Sequence, residues 1–261
     1  MLLATWNVNS LTARLPRVLE FLDLHRPDLL CMQETKVRPE VFPHLELEVA
    51  GYRAIDHSGG PWAGVAMAAP AGQEFSDVVR GLPGEPDPDE ARWIEATVGG
   101  LRVVSVYVPN GREPGTPAFA HKLAFLDAMA AHAGRPAPAP AVVMGDMNIA
   151  PADTDVYDPA AFAGATHVTP QERSRLQAVL TAGDLIDAHR ALHDGEPGFT
   201  WWDYRQGHFH RGLGMRIDLA VVSSQLTGGL RACGVDRNFR KGPKPSDHAP
   251  LLVEVALPMD G

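Results

Sequence analysis

The sequence predicts an α/β fold with a large amount of sheet. Ten short apolar runs, rich in β-branched residues, have the length of strands, and amphipathic helical patterns lie between several of them. The 261 residues are within the range of one large domain, and the 45% apolar and 21% charged content is ordinary for a globular protein. The Pro- and Ala-rich stretch Arg135–Pro140 is interpreted as a loop that leads into the next strand. We therefore expect a single domain over residues 1–261.

The predicted strands are apolar runs bounded by Gly, Pro or polar residues. In chain order they are Leu2–Trp6, Leu29–Met32, Tyr52–Ile55, Gly64–Ala68, Trp93–Val98, Val103–Val108, Ala141–Met144, Ile217–Val222, Leu230–Val235 and Leu251–Val255. Continuous apolar runs of this kind are typical of strands that are covered on both faces.

Three helices are predicted between these strands. The apolar spacing over Leu15–Leu22 predicts the first helix, with Pro16 in its first turn. Thr116-Pro117 has the pattern of an N-cap followed by proline, and an apolar face follows it. Thr169-Pro170-Gln171-Glu172 is a capping-box pattern, and Gly183 suits the C-terminal end of that third helix.

The sequence also bounds the compartment. Its two cysteines, Cys31 and Cys233, lie in apolar surroundings and cannot form a disulfide framework, which favours a reducing cytoplasm. No apolar run is long enough to span a bilayer, and the N-terminus lacks the features of a signal peptide. We expect a cytoplasmic protein that does not associate with membranes, and nothing in the sequence indicates more than a monomer.

Charge is distributed unevenly along the chain. The net charge is −9, which argues against bulk attraction to nucleic acid, yet residues 201–250 carry eight Lys and Arg against four Asp and Glu. A bound polyanion should therefore meet this region. Arg237, Arg240 and Lys241 are candidates for a track along a phosphate backbone, with a solvated loop as the alternative.

Polar side chains stand at or near the ends of six of the apolar runs. They are Asn7, Asn9, Glu34, Tyr107, Asn110, Asp146, Asn148, Asp218, Asp247 and His248. Such ends are expected where a sheet presents a functional site at its edge. Each cluster alone also has a structural explanation, such as turn chemistry for Asp146 and Asn148 or a helix cap for Asp247. Recurrence at six runs favours one shared site.

These residue types point to metal-assisted hydrolysis of a phosphodiester. The candidate metal ligands with hard oxygen atoms are Glu34, Asp146, Asn148, Asp247 and Asn9. Such oxygens suit Mg²⁺, or Mn²⁺ in its place, and no His/Cys cluster has the spacing of a zinc site. A metal ion and hydrogen-bond donors lower the barrier by neutralising the charge that grows on the phosphate oxygens.

The remaining polar residues would supply these donors and a base. The candidate donors are Asn7, Asn148, Tyr107, Lys36 and His248. Nearby carboxylates would keep His248 protonated near neutral pH, and Asp218 needs a partner because it lies inside an apolar strand. Asp146 could orient or deprotonate the attacking water. The sequence has neither a Gly-x-Ser-x-Gly elbow nor a P-loop, which argues against a serine nucleophile and nucleotide-driven phosphoryl transfer.

Taken in order, the polar segments resemble the exonuclease III family of abasic-site endonucleases. The resemblance rests on Thr5-Trp6-Asn7-Val8-Asn9, Gln33-Glu34-Thr35-Lys36, Tyr107-Val108-Pro109-Asn110-Gly111, Gly145-Asp146-Met147-Asn148-Ile149-Ala150, Arg216-Ile217-Asp218 and Ser246-Asp247-His248-Ala249-Pro250. It covers residues 1–257, almost the whole chain. The Gln-Glu and Asp-His pairs are shared with the wider endonuclease/exonuclease/phosphatase superfamily, whereas Lys36 and the segments 169–173 and 199–205 resemble the exonuclease III branch.

This resemblance implies a four-layer α/β sandwich, in which two mixed sheets pack face to face with helices outside. The implied roles are metal binding for Glu34, water positioning for Asp146 beside Asn148, phosphate contact for His248 paired with Asp218, phosphate stabilisation for Asn7 and Tyr107, and a place on the metal or behind it for Asp247. Some relatives carry Asp where this chain has Asn9, which leaves a second metal ligand open.

The resemblance also implies how the substrate binds. Trp201, Met215 and Ile217 match an apolar pocket that receives a sugar without a base, and Lys36, Asn110 and Arg112 are expected to contact the substrate. Neighbouring residues alternate in a strand, so at least one of Trp201 and Trp202 should belong to the core.

The sequence thus predicts a Mg²⁺-dependent enzyme that cuts double-stranded DNA on the 5′ side of abasic sites. The resemblance adds 3′→5′ exonuclease and 3′-phosphatase activity on blocked 3′ ends, without an obligate protein partner. Two alternatives remain open: a phosphoesterase on the same fold that acts on RNA, inositol phosphates or lipid head groups, and a DNA-binding protein without catalysis.

Overall fold

The computed structural model of the protein describes residues 1–136 and 140–257. Its strands are β1 (Leu2–Asn7), β2 (Leu29–Gln33), β3 (Tyr52–His57), β4 (Val65–Pro70), β5 (Ser76–Arg80), β6 (Trp93–Val98), β7 (Leu101–Tyr107), β8 (Ala141–Asp146), β9 (Leu185–Asp187), β10 (Asp218–Ser223), β11 (Leu230–Val235) and β12 (Leu251–Val255). Its helices are α1 (Leu11–His25), α2 (His44–Val49), α3 (Pro117–Ala133), α4 (Pro170–Ala182), α5 (Ala188–Leu192) and α6 (His208–Arg211).

The strands form two six-stranded mixed sheets. The first has the order β11-β12-β1-β2-β4-β3 and the second the order β5-β6-β7-β8-β10-β9. In each sheet the two central strands are parallel, β1 with β2 and β7 with β8, and the strands beside them are antiparallel. Both central pairs therefore direct their carboxyl ends to one edge.

Three layers of apolar side chains separate four layers of secondary structure. A central core, which includes Leu3 and Val65 from the first sheet and Val103 and Val142 from the second, fills the space between the sheets. Two outer cores pack α1 and α2 on the first sheet, and α3 and α4 on the second. This arrangement confirms the four-layer α/β sandwich.

Tertiary contacts move the start of α1 away from the predicted position. The helix begins at Leu11, where the amide of Leu11 donates to the carbonyl of Thr35 at 2.8 Å and that of Ser10 donates to Glu34 at 2.7 Å. Pro16 consequently lies in the second turn, not in the first turn as predicted. These contacts also bring the loop after β1 against the loop after β2.

The caps of the two long helices on the second sheet follow the sequence. Thr116 accepts a hydrogen bond from the amide of Phe119, and Thr169 and Glu172 form the predicted capping box. The buried face of α3 includes Phe119 and Leu126, which belong to the predicted apolar face, and it also includes Lys122 and Phe125. A lysine therefore lies inside this helix interface.

Both cysteines are free and buried, as the sequence predicted. Burial raises the pKa of the Cys31 and Cys233 thiols to about 12, so neither is a reactive thiolate. Among the described residues, no helix is long and apolar enough to cross a membrane.

Candidate active site

The polar strand ends converge at one edge of the sandwich. Asp146, at the end of β8, is paired with Tyr107 of β7 on one side and with Asp218 of β10 on the other. Asn7, at the end of β1, joins the two sheets: its Nδ2 donates to Glu34 Oε1 at 2.8 Å and to Asp146 Oδ2 at 3.0 Å. The carboxyl ends of the two parallel strand pairs, one from each sheet, thus meet in one cleft.

Glu34, Asp146 and His248 form a cluster that could hold a metal ion. Their potential ligand atoms lie within 4.8 Å of one another, and they are the one such group among the residues that the structure describes. Asp247 was predicted as a further ligand but lies outside this cluster. Its Oδ1 accepts from Asn9 at 2.9 Å and its Oδ2 accepts from Trp201 Nε1 at 3.1 Å.

His248 is held as a cation between carboxylates. Its Nδ1 lies 2.7 Å from Asp218 Oδ2, and its Nε2 lies 3.8 Å from Asp146 Oδ2. Burial lowers the pKa of His248, but the charges of Asp218, Asp146 and Asp247 outweigh burial and raise it to about 10. An imidazolium cannot ligate a metal, so the oxygen atoms of Glu34 and Asp146 fit a hard cation such as Mg²⁺ and His248 is left as a donor.

Asp146 has the position and the pKa of a general base. Burial raises the pKa of its carboxyl group to about 7, with the charge of His248 acting against this rise and those of Asp218 and Glu34 adding to it. The backbone amide of Asn148 donates to Asp146 Oδ1 at 2.8 Å and fixes the carboxylate. Asn148 has a φ of 50°, in the left-handed region that asparagine tolerates.

Tyr107 faces the same cleft as a neutral phenol. Burial, together with the charges of Glu34 and Asp146, raises its pKa well above the ordinary value. The guanidinium of Arg92 lies 4.7 Å from the centre of the Tyr107 ring. Tyr107 can therefore donate a hydrogen bond to an anionic group throughout the neutral pH range.

An apolar cluster lies beside these polar residues. It consists of Met215 and Ile217 with Ala150 and Val156, and Trp201 packs against it together with Phe162 and Val168. Thr200 Oγ1 accepts hydrogen bonds from the backbone amides of Ile217 and Asp218. These bonds connect the cluster to the start of β10. Trp202 is fully buried whereas Trp201 is partly exposed, in agreement with the predicted alternation.

The predicted substrate contacts of the first sheet surround Glu34. Lys36 Nζ lies 2.6 Å from Glu34 Oε2 and donates to Asn9 Oδ1 at 2.7 Å. Lys36 thus connects Glu34 with the side-chain oxygen of Asn9, and the role of Asn9 as a metal ligand stays a prediction. Asn110 and Arg112 lie at the rim of the cleft with exposed side chains.

The residues of the predicted basic track differ in their exposure to solvent. Arg237 and Lys241 are exposed, but Arg240 is buried and does not face solvent as a phosphate track requires. The guanidinium of Arg240 lies 4.9 Å from the Tyr204 ring centre and donates to the carbonyl of Trp202 at 3.1 Å. Packing against aromatic rings removes Arg240 from the surface.

The sequence reasoning missed two residues behind the cleft. His167 has a φ of 77°, and its Nδ1 lies 2.5 Å from the carbonyl oxygen of Asn148. Burial and the nearby charge of Lys122 lower the pKa of His167 to about 4, so its ring is neutral at neutral pH. Lys122 itself carries a signal in the sequence, since a charged residue three positions from Phe119 and from Phe125 falls on a buried helical face.

Comparisons with known proteins agree with this geometry. Residues 4–248 match the model of the endonuclease/exonuclease/phosphatase family. Exodeoxyribonuclease III from Haemophilus influenzae is 31% identical, covering 96% of this chain and 98% of its own length. A 3′ phosphatase from Neisseria bound to a product DNA hairpin superposes with a TM-score of 0.95 at 37% identity, and an AP endonuclease from Archaeoglobus fulgidus with 0.94 at 34%. Each superposition covers 98% of this chain and 100% of the other.

Proposed function

Because the chain belongs to the endonuclease/exonuclease/phosphatase family, we propose that it is a DNA-repair phosphodiesterase of the exonuclease III type. The observation that carries this proposal is the pairing of Asp146, with a pKa near 7, and a cationic His248 at 3.8 Å beside Glu34. A base, a cation and a carboxylate ligand in one cleft are the groups that hydrolysis of a phosphodiester needs.

The proposed substrate is double-stranded DNA with an abasic site or a blocked 3′ end. Relatives named exodeoxyribonuclease III, AP endonuclease and 3′ phosphatase support activity at both kinds of lesion. The apolar cluster around Trp201, Met215 and Ile217 supports entry of an extruded sugar. A sugar without a base loses little stacking energy when it leaves the helix, so an apolar slot beside the cleft selects it.

The proposed cofactor is Mg²⁺, for which Mn²⁺ could substitute. Glu34 would hold it, because its carboxylate oxygens lie within the cluster and suit a hard cation, whereas Asp146 is kept for the attacking water. The bound ion would neutralise negative charge that develops on the phosphate oxygens.

The chain's own residues would carry the rest of the reaction. Asp146, fixed by Asn148 and Asn7, would take a proton from the attacking water as its oxygen bonds to phosphorus. The bond from phosphorus to the 3′ oxygen breaks on the opposite side, and the released 3′ oxygen takes a proton from solvent water to become a hydroxyl group. His248 and Tyr107 would donate hydrogen bonds to the phosphate oxygens, where charge accumulates in the transition state.

A cleavage assay tests this function. We expect the protein with Mg²⁺ to cut a duplex holding one abasic analogue on the 5′ side of the lesion, and to remove a 3′ phosphate from a second duplex. EDTA should stop both reactions. Asp146→Asn and His248→Asn should each lower the rate by at least the roughly 10²–10³-fold typical of losing one transition-state stabiliser. Asp127→Asn, on the exposed side of α3, is the matched control.

Other outcomes would redirect the proposal. Faster hydrolysis of RNA, an inositol phosphate or a lipid head group than of either duplex would indicate a different phosphoesterase. DNA binding that persists in EDTA, without turnover in Mg²⁺, would indicate a binding protein. We further propose a cytoplasmic monomer that forms one domain over residues 1–261, which sedimentation and cell fractionation can test.

A further inference from the structure

A buried ion pair lies directly behind the candidate active site. Lys122 of α3 and Glu172 of α4 pair at 2.5 Å, and both side chains have 0% exposure to solvent. Lys122 Nζ also donates to the carbonyl oxygens of Asn148 at 2.7 Å and of Asn110 at 3.1 Å. An ammonium has three N–H donors, and all three are used here.

The two carbonyl groups that Lys122 binds belong to the loops after β7 and β8. Each loop is stabilised by a local hydrogen bond from a backbone amide to a side chain. Asn148 N donates to Asp146 Oδ1 at 2.8 Å, and Arg112 N donates to Asn110 Oδ1 at 3.1 Å. Asn110 Nδ2 also donates to Asn148 Oδ1 at 3.3 Å. One ammonium therefore fixes the backbone of both loops, and the side chains of Asn110 and Asn148 bond to each other.

Glu172 extends the same network to the far end of the loop after β8. Its carboxylate accepts from the amides of His167 and Thr169, at 2.9 Å and 3.0 Å, and from the hydroxyl groups of Thr166 and Thr169. His167 in turn contacts the Asn148 carbonyl. The ion pair thus connects two helices to the loop after β7 and to both ends of the loop after β8.

Stability alone does not account for this pair. A buried ion pair is often no more stabilising than an apolar pair of similar volume, because desolvation offsets the attraction. The feature that an apolar pair lacks is the set of donors for the Asn110 and Asn148 carbonyl groups. Gly111 shows how closely the loop lies on the lysine, since a Cβ there would be 2.6 Å from Lys122 Cδ.

We propose that Lys122 is a positioning residue for hydrolysis: it holds Asn148, and through Asn148 the carboxylate of Asp146, in the orientation that attack on phosphorus requires. This inference rests on the proposed function. Since Lys122 is buried and does not touch the substrate, its loss should reduce kcat and leave the KM for DNA near its original value.

Two variants separate positioning from stability. Lys122→Met combined with Glu172→Leu replaces the ion pair by an apolar pair, and it leaves the Asn110 and Asn148 carbonyl groups and the His167 and Thr169 amides without these partners. We therefore expect a lower Tm, and a kcat that is roughly 10–100-fold lower at a temperature where the variant is folded. Glu172→Gln leaves the charge of Lys122 unpaired but keeps its two bonds to carbonyl groups. We expect this variant to have a lower Tm than the wild type and to keep most of its kcat at a temperature where it is folded.

The control is a second ion pair between the same two helices. Arg175 Nε lies 2.9 Å from Asp127 Oδ1 on the exposed side, away from the loops. Asp127→Asn combined with Arg175→Gln should change neither kcat nor KM. A kcat that follows Tm through all of these variants would show a merely structural role and overturn the proposal.

Hydrogen exchange supplies a measurement that does not depend on activity. In the apolar-pair variant the amides of Asn148 and Arg112 should exchange faster than in the wild type, with the amides of β1 and β2 unchanged. Unchanged exchange at both loop amides would overturn the positioning role. A wild type that cuts no DNA would instead refute the proposed function, and the exchange result would then decide the role of Lys122 by itself.

Discussion

At the scale of single residues, Asp218 sets the charge of His248. Its carboxylate accepts a hydrogen bond from His248 Nδ1 at 2.7 Å. Its charge helps to raise the pKa of the imidazole to about 10 from the ordinary 6.5. The raised pKa stabilises the folded state fully below pH 6.5, and that contribution is lost as the pH rises from 6.5 to about 10. The same shift keeps His248 a donor throughout the neutral range.

We expect Asp218→Asn to move the alkaline limb of the pH–kcat profile to lower pH. Without the charge of Asp218, burial lowers the pKa of His248 and its proton is lost earlier, so activity should recover as the medium is acidified. The measurement is kcat against pH at saturating Mg²⁺ and DNA. An alkaline limb that coincides with that of the wild type would contradict this role for Asp218.

A second prediction at this scale concerns the metal ligands. Glu34 belongs to the cluster of potential ligands, whereas Asp247 lies outside it. Glu34→Gln should therefore weaken Mn²⁺ binding by more than the roughly 10–100-fold typical of an outer partner, and Asp247→Asn by no more than that range. Titration followed by electron paramagnetic resonance measures both, and equal losses would contradict the assignment.

At the scale of elements, burial decides which strands the sequence reveals. Trp93–Val98, Leu230–Val235 and Leu251–Val255 were predicted with the bounds that the structure has, and each carries at least two buried residues in its apolar run. The strands β5 and β9 were missed: β5 is an exposed edge strand of mixed polarity, and β9 has three residues. Neither has enough apolar alternation to distinguish it from a loop.

The residues of the candidate site could likewise be predicted only where the sequence carries a local pattern. Glu34, Asp146 and His248 were predictable because each stands beside an apolar run, and the fold brings these ends together. Lys122 and Thr200 were not assigned, because they act through backbone groups of residues distant in the chain. For Lys122 the sequence places a charge on a buried helical face, but no local pattern shows which remote carbonyl groups it binds.

The packing of β7 against β8 gives a prediction at this scale. Gly145 has a φ of 152°, and a Cβ there would lie 1.9 Å from the carbonyl oxygen of Val106. Gly145→Ala must push apart the strands that carry Tyr107 and Asp146, so we expect a loss of about 1–3 kcal/mol in the free energy of unfolding and a lower kcat. Gly72→Ala, which meets nothing within 4 Å, should stay within about 0.5 kcal/mol. Urea unfolding compares the two.

At the scale of the whole molecule, the site exists because two sheets meet at one edge. Asn7 of the first sheet bonds Asp146 of the second, and Ser246, just before Asp247-His248, donates to the Asn7 carbonyl at 2.7 Å. The first and last strands of the chain, β1 and β12, are neighbours in this arrangement. Every part of the cleft therefore depends on closure of the complete sandwich.

An acidic molecule that binds DNA must do so through a local positive surface. The net charge is −9, and the exposed Lys241 and Lys244 lie shortly before Asp247 and His248 in the chain. If each lysine neutralises one phosphate, Lys241→Ala and Lys244→Ala should each reduce the slope of log K against log salt by about 0.9 for duplex DNA. Arg53→Ala, exposed on the edge strand β3, should leave the slope unchanged. Binding titrations between 50 mM and 200 mM salt test this, and an unchanged slope for both lysine variants would make the segment a solvated loop.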